Sequence, residues 1–170
     1  MRTSRTSKLL ALLIVVCSSV VLSAHAASAS AFSWIYVRNA SNTSAGTLYL
    51  TTGLSNTWAV RGGSGTGTSD DCASSAGYLP GGAYSIVASF TNHSGAVVGP
   101  AIQLSNQLCH TGRVLRTELF IHSNFPWAGN YKPNGCIKLS SSGSAGAAGG
   151  DISRAVFYQR YYGIGTLAVW

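Results

Sequence analysis

The chain is 170 residues long with a formal net charge of +7. Three of its eleven basic residues fall within the first eight positions, and the others are scattered without a run, which argues against a nucleic-acid-binding stripe. The length remaining after any leader fits one domain with a sizeable core.

The N-terminus reads as a secretion signal. Arg2, Arg5 and Lys8 precede a nearly uninterrupted apolar run from Leu9 to Leu22, and Ala24-His25-Ala26 offers a small-x-small cleavage site. The run is too short to span a bilayer and is interrupted by Ser18 and Ser19, so residues 1–26 are expected to be removed with no stable membrane anchor left. Val15 and Val16 before Cys17 do not form a lipoprotein cleavage box. Residues 27–170 then carry eight Lys and Arg against four acids, a net charge of +4. That mild charge is compatible with a cell-wall surface and equally with a plain soluble basic domain.

The predicted elements are mostly strands, short and rich in β-branched or aromatic residues: Phe32 to Arg38, Thr47 to Thr51, Thr57 to Val60, Ala83 to Phe90, Val114 to His122 and Thr166 to Trp170. The glycine-rich stretch from Arg61 to Thr68 is followed by neither Lys-Ser nor Lys-Thr and opens no helical pattern, so it reads as a mobile loop between strands rather than a phosphate cradle. Asn39, Asn42 and Asn92 each open an Asn-x-Ser sequon, relevant only in a glycosylating host. Ser140 to Gly150 has low complexity and reads as a flexible loop. Asp151 then caps a predicted helix in which Ile152, Ala155 and Val156 share a face that Tyr158 and Tyr162 continue, and Gly163 and Gly165 end it. The expectation is a mainly β domain with one short helix near the C-terminus.

Loss of Cys17 with the leader leaves Cys72, Cys109 and Cys136, an odd number for an oxidising compartment. Cys72 and Cys109 lie beside polar, turn-like residues and are the expected disulfide, which leaves Cys136 as a free thiol. Such a thiol is a small buried hydrophobe, a partner for a cysteine of another chain, or a nucleophile.

Chemistry concentrates between Thr117 and Leu139. A strand ends at His122, a loop rich in Pro, Gly and Asn follows, and a second short strand starts at Cys136. If both side chains face the same way, the imidazole sits beside the thiol and can take its proton. A catalytic thiol of this kind is expected to titrate below a free one. Gly135 permits close approach, and the backbone amides of Gly135 and Cys136 are candidates for an oxyanion hole. Lys138 shares a strand face with Cys136 and is a candidate for holding a substrate carboxylate, or else simply extends into water. His93 reads as a solvated turn residue. A metal site from His110, His122 and Cys136 lacks close ligand spacing, so neither metal nor cofactor is expected.

Ile121-His122 followed by Asn134-Gly-Cys-Ile-Lys-Leu139 resembles the His…Ser-x-Gly-Cys-Ile-Arg-Leu signature of the L,D-transpeptidase catalytic domain. Gly77-Tyr-Leu-Pro-Gly-Gly-Ala-Tyr-Ser-Ile86 is similar to that family's Gly-x-x-Pro-x-Gly-x-Tyr-x-Ile segment. Asp151 through Gly165-Thr-Leu-Ala-Val169 is similar to its closing Asp, helix and Gly-Thr-x-Val strand, with one extra residue before the Val. The departures are Ser123 where Gly is usual, Pro133 where Ser or Thr is usual, and Lys138 where Arg is usual. The spacing is also similar to that of a divergent branch containing wall-attacking effectors.

The resemblance covers about residues 57 to 170 and implies that residues 27–170 form a single L,D-transpeptidase-like β-sandwich, acting at the cell wall on peptidoglycan stem peptides. Cys136 would form a thioester with release of terminal D-Ala, and His122 would serve as base and then acid. An amine would resolve the thioester into a 3→3 cross-link, or water would resolve it as a carboxypeptidase does. Trp127 and Tyr131 would line the substrate groove or serve as packing anchors. The alternative is a non-catalytic secreted domain of the same fold that binds wall peptides.

Overall fold

The computed structural model describes residues 32–39, 42–52, 55–65, 68, 70–73, 76–95, 97–123, 135–139 and 150–170. The expected leader over residues 1–26, positions 140–149 of the loop expected from Ser140 to Gly150, and Trp127, Tyr131 and Pro133 lie outside the described residues.

The strands are β1 (Phe32–Asn39), β2 (Asn42–Thr52), β3 (Ser55–Ser64), β4 (Gly82–His93), β5 (Gly99–Leu104), β6 (Gln107–Leu108), β7 (Leu115–Arg116), β8 (Phe120–Ser123), β9 (Ile137–Leu139) and β10 (Thr166–Val169). The helix is α1 (Gly150–Tyr161). The chain is thus mainly β, with one helix near its C-terminus among the described residues. Eight strands close into a barrel in the order β1-β10-β4-β5-β8-β9-β3-β2, and β2 returns to β1 through an antiparallel ladder.

The expected sandwich is therefore a closed barrel. Alternation in a sequence reports that one face of a strand is buried, but not which distant strand supplies the second ladder. Closure here depends on two parallel contacts between segments remote in sequence or separated by a long connection. These are β1 with β10, in the register Trp34↔Leu167, and β8 with β9, in the register Ile121↔Ile137.

The barrel interior is filled by alternate residues of these strands, including Trp34, Tyr36, Leu48, Leu50, Ile102, Ile121, Ile137, Leu139 and Leu167, all essentially inaccessible to water. Burial of side chains of this size contributes roughly 1.5–3 kcal/mol each before the entropy of ordering them is counted. Ile152, Ala155 and Val156 of α1 join the same core, as their spacing predicts. The helix is fixed further by Tyr162 stacked on Phe32 at 3.9 Å between ring centroids and by Tyr158 edge-on to Trp58 at 5.8 Å. Asp151 in its first turn and Arg160 in its last complement the helix dipole.

Three other expectations shift. The glycine-rich segment after Arg61 is strand as far as Ser64, because Gly62 and Gly63 pair with Leu139 and Lys138 of β9. At Gly62 a Cβ would lie 2.8 Å from the Lys138 carbonyl oxygen, so the ladder closes only without a side chain there. The strand β5 was not anticipated. It opens on Gly99-Pro100, a turn-like pair, and buries Ala101 on one face and Ile102 on the other, so the only alternation is Ile102-Gln103-Leu104, too short to read as a strand. The single strand expected from Val114 to His122 is split. Its first part, β7, pairs with β6 in a separate two-stranded sheet, its second part, β8, enters the barrel, and Glu118 between them has φ 54°.

The Cys72–Cys109 disulfide is formed. It closes a separation of 37 residues, which in the chain-entropy model stabilises the native state by about 4 kcal/mol. Replacing both cysteines by Ala should lower the unfolding free energy in urea by about 3–4 kcal/mol; a loss under about 1 kcal/mol would show that the loop is already constrained in the unfolded chain.

Candidate active site

The parallel ladder between β8 and β9 places His122 directly opposite Lys138. Cys136 immediately precedes β9, two residues before Lys138. Partners across a ladder project to the same side, and so do residues two apart along a strand. Ile121 and Ile137 point into the barrel core, whereas Phe120 and Cys136 belong to a second apolar cluster with Val97, Ala101 and Phe90 on the outer face. Cys136, Lys138 and His122 therefore share the outer face. His122 is the diagonal neighbour of Cys136, a relation that typically spans about 7–8 Å between Cα atoms. The register continues this row through Gly63 to Ala45 on one side and Ala101 to Phe90 on the other.

Cys136 is the free cysteine among the described residues and is 5% exposed. Its thiol donates to the Glu118 carbonyl oxygen at 3.7 Å. Burial pushes the thiol up to about 11, against smaller opposing effects of the Phe120 backbone and the Arg116 and Lys138 charges. The resting group is a protonated thiol, which runs against the expectation of a titration below that of a free cysteine.

His122 is held complementarily. Burial lowers its pKa to about 4, and the Lys138 charge adds to that effect while the bond to Ser123 opposes it. Its Nδ1 lies 2.8 Å from the Ser123 carbonyl oxygen. A carbonyl only accepts, so Nδ1 carries the hydrogen and Nε2 keeps the lone pair. Among the described residues Nε2 is buried without a partner, so no bond to the Cys136 thiol is formed in this state. The pair is a neutral acid and a neutral base on one face, with the basic nitrogen unoccupied. Lys138 is partly buried, and loss of hydration lowers its pKa.

Gly135 has φ +86°, in the left-handed region that favours glycine. A Cβ there would lie 2.5 Å from Nη2 of Arg116. Arg116 was not among the expected site residues, and it is 4% exposed. Its Nη1 donates to the backbone oxygen of Asp71, while Nη2 is buried with no partner among the described residues. No sequence signal sets it apart from the other scattered arginines. Only the fold of the disulfide-bonded segment over it reveals that it is enclosed.

The remaining histidines lie elsewhere in the structure. His93 is half-buried rather than solvated, with its ring 5.1 Å from that of Phe120 and its Nδ1 2.6 Å from the Val97 carbonyl oxygen. His110 pairs with the buried Asp71 carboxylate, which raises its pKa. Together with Asp70 and Cys72 these form a compact group, but the Cys72 sulfur is already spent in the disulfide. His110 is thus grouped with neither His122 nor Cys136. Among the described residues no helix is long and apolar enough to cross a membrane.

No family model matches the sequence, and no curated protein matches it. What the fold and site define is a closed β-barrel carrying a buried thiol and a neutral imidazole on one outer face.

Two measurements check this electrostatic picture. Between pH 6.5, where an unperturbed imidazole titrates, and about 4, the unfolded chain binds the proton that folded His122 refuses, so stability should fall as pH drops through that window. The loss should reach at most about 3 kcal/mol and be absent in His122→Gln, as read from urea unfolding across pH. Gly135→Ala should cost about 1–3 kcal/mol from its backbone conformation alone. An unchanged melting temperature in that variant would show that neither the left-handed conformation nor the contact with Arg116 opposes a side chain there.

Proposed function

We propose that this protein is a secreted cysteine acyltransferase of the L,D-transpeptidase type, acting on peptidoglycan stem peptides at the cell wall. The observation that carries the reading is the common face of Cys136 and His122 on the parallel β8–β9 pair, with the basic Nε2 unoccupied and Lys138 alongside. Its support in sequence is the ordered set of three segments that resemble that family.

In this reading Nε2 of His122 takes the thiol proton as the sulfur attacks the carbonyl preceding the terminal D-Ala. The S–C bond forms, the carbonyl π pair moves to oxygen, and collapse of the tetrahedral species breaks the C–N bond. The proton held by His122 passes to the departing D-Ala amine, leaving a thioester on Cys136. An amine from a second stem peptide, or water, then resolves it. The low basicity of His122 and the weak acidity of Cys136 make deprotonation concerted with attack rather than a preformed ion pair. The backbone around Gly135 and Cys136 and the ammonium of Lys138 are the groups assigned to the developing oxyanion and to a substrate carboxylate.

A second reading is favoured by the burial and high pKa of the thiol: a non-catalytic domain that binds wall peptides on the same outer face. Incubation with a purified disaccharide-tetrapeptide and mass spectrometry of the products separates the two. Loss of D-Ala alone is expected for a carboxypeptidase and dimer for a transpeptidase, and both should vanish in Cys136→Ala and fall at least about a hundredfold in His122→Ala. Unchanged tetrapeptide with wild type and variant alike would leave the binding module.

A further inference from the structure

A buried cation with an unused donor is uncommon, because taking a charge out of water is costly unless other groups replace its hydration. Arg116 is such a cation. Its guanidinium lies between two backbone segments that carry no side chain at the point of contact. A Cβ on Gly77 would be 2.9 Å from Nη1, and one on Gly135 would be 2.5 Å from Nη2. Nη1 is held by the Asp71 carbonyl, in the segment that the Cys72–Cys109 bridge ties to the β6–β7 region. The Asp71 carboxylate does not neutralise Arg116, since it is engaged by the backbone amide and ring of His110. Nη2 is left against the residue immediately before the thiol, buried and without a partner among the described residues. Leu119, whose Cδ2 would lie 3.5 Å from the same Cβ, provides an apolar wall there.

We infer that Arg116 is an anion-holding residue of the Cys136 site, with Nη2 donating to the anionic oxygen that forms on the substrate carbon bonded to the sulfur. The inference rests on the acyl-transfer reading and deepens it, by giving the oxyanion a charged donor besides the backbone amides. A guanidinium suits the role because one nitrogen can be fixed by the scaffold while the other faces the substrate, and a low-dielectric site strengthens a preorganised donor. Lys138 has a single terminal nitrogen on a flexible stem and lies farther along β9, so it cannot be held in the same way.

Iodoacetate and iodoacetamide test this without any peptidoglycan. Both alkylate a thiol by forming S–C and expelling iodide, but only iodoacetate brings a carboxylate next to the carbon being bonded. The ratio of the iodoacetate to the iodoacetamide rate constant at Cys136, followed by peptide mass spectrometry, should be about tenfold or more higher in the folded protein than in the urea-unfolded chain. Arg116→Gln should return the ratio to the unfolded value, Arg116→Lys should keep part of the rise, and Lys138→Gln should lower it less than Arg116→Gln does. Circular dichroism of each variant shows whether it folds, and if Arg116→Gln does not, the wild-type ratio together with Lys138→Gln decides. A folded wild type with no raised ratio, or a rise abolished by Lys138→Gln and retained in Arg116→Gln, overturns the assignment. Release of D-Ala from the tetrapeptide alongside a flat ratio removes Arg116 from the mechanism and leaves the acyl transfer standing. A raised, Arg116-dependent ratio without turnover does the reverse, and a folded Cys136 that neither reagent labels removes both.

Discussion

The parallel pairing of β8 with β9 is the constraint on which the site depends. Antiparallel neighbours can be joined by a two-residue turn, but parallel ones need a connection that returns the chain to the same end of the sheet. The two strands run in a common direction, so Ile121 lies against Ile137 at their starts and Ser123 against Leu139 at their ends. In that geometry the residue before β9 and the third residue of β8 project from the same surface. Closure of the barrel holds the pair in place, because β5 on one side and β3 on the other complete the ladders of both strands.

The same closure sorts charge from apolar surface. Ile121, Ile137 and Leu139 fill the interior, and the intervening positions are forced outward, where Phe90, Val97, Ala101 and Phe120 surround Cys136. An apolar surround explains both electrostatic features of the site at once, since loss of water disfavours the thiolate and the imidazolium alike. The result is a neutral pair in a low-dielectric setting flanked by two cations, Lys138 on its own strand and Arg116 beneath Gly135. Glu118 contributes through its backbone: its left-handed conformation turns the chain from β7 into β8 and aims its carbonyl at the thiol. A non-glycine residue held in that region stores strain that the surrounding structure must offset, as often happens beside reactive groups.

Legibility in the sequence followed the range of the interactions involved. The helix was readable because its buried face is local, with Ile152, Ala155 and Val156 repeating within one turn. The disulfide followed from the context of three cysteines. By contrast, β5 buries Ala101 and Ile102 on opposite faces and alternates over only three residues, and the strand character of Gly62 and Gly63 comes from β2 and β9 lying on either side of them. His93 looked like a turn residue because its immediate neighbours are polar, yet it ends β4, and its ring packs on Phe90 three residues back and on Phe120 of β8, a strand remote in sequence.

By itself the sequence determined the mainly β character, the terminal helix, the odd thiol and the histidine that precedes it, since these rest on composition, counting and periodicity over a few residues. Only the tertiary structure decided that the sheet closes into a barrel, that Cys136 and His122 share its outer face as a neutral pair, and that Arg116 is buried beside them. Those three outcomes depend on ladders and contacts between segments far apart in the chain, where the free energy of burial and the direction of each side chain are set by neighbours that no local pattern names.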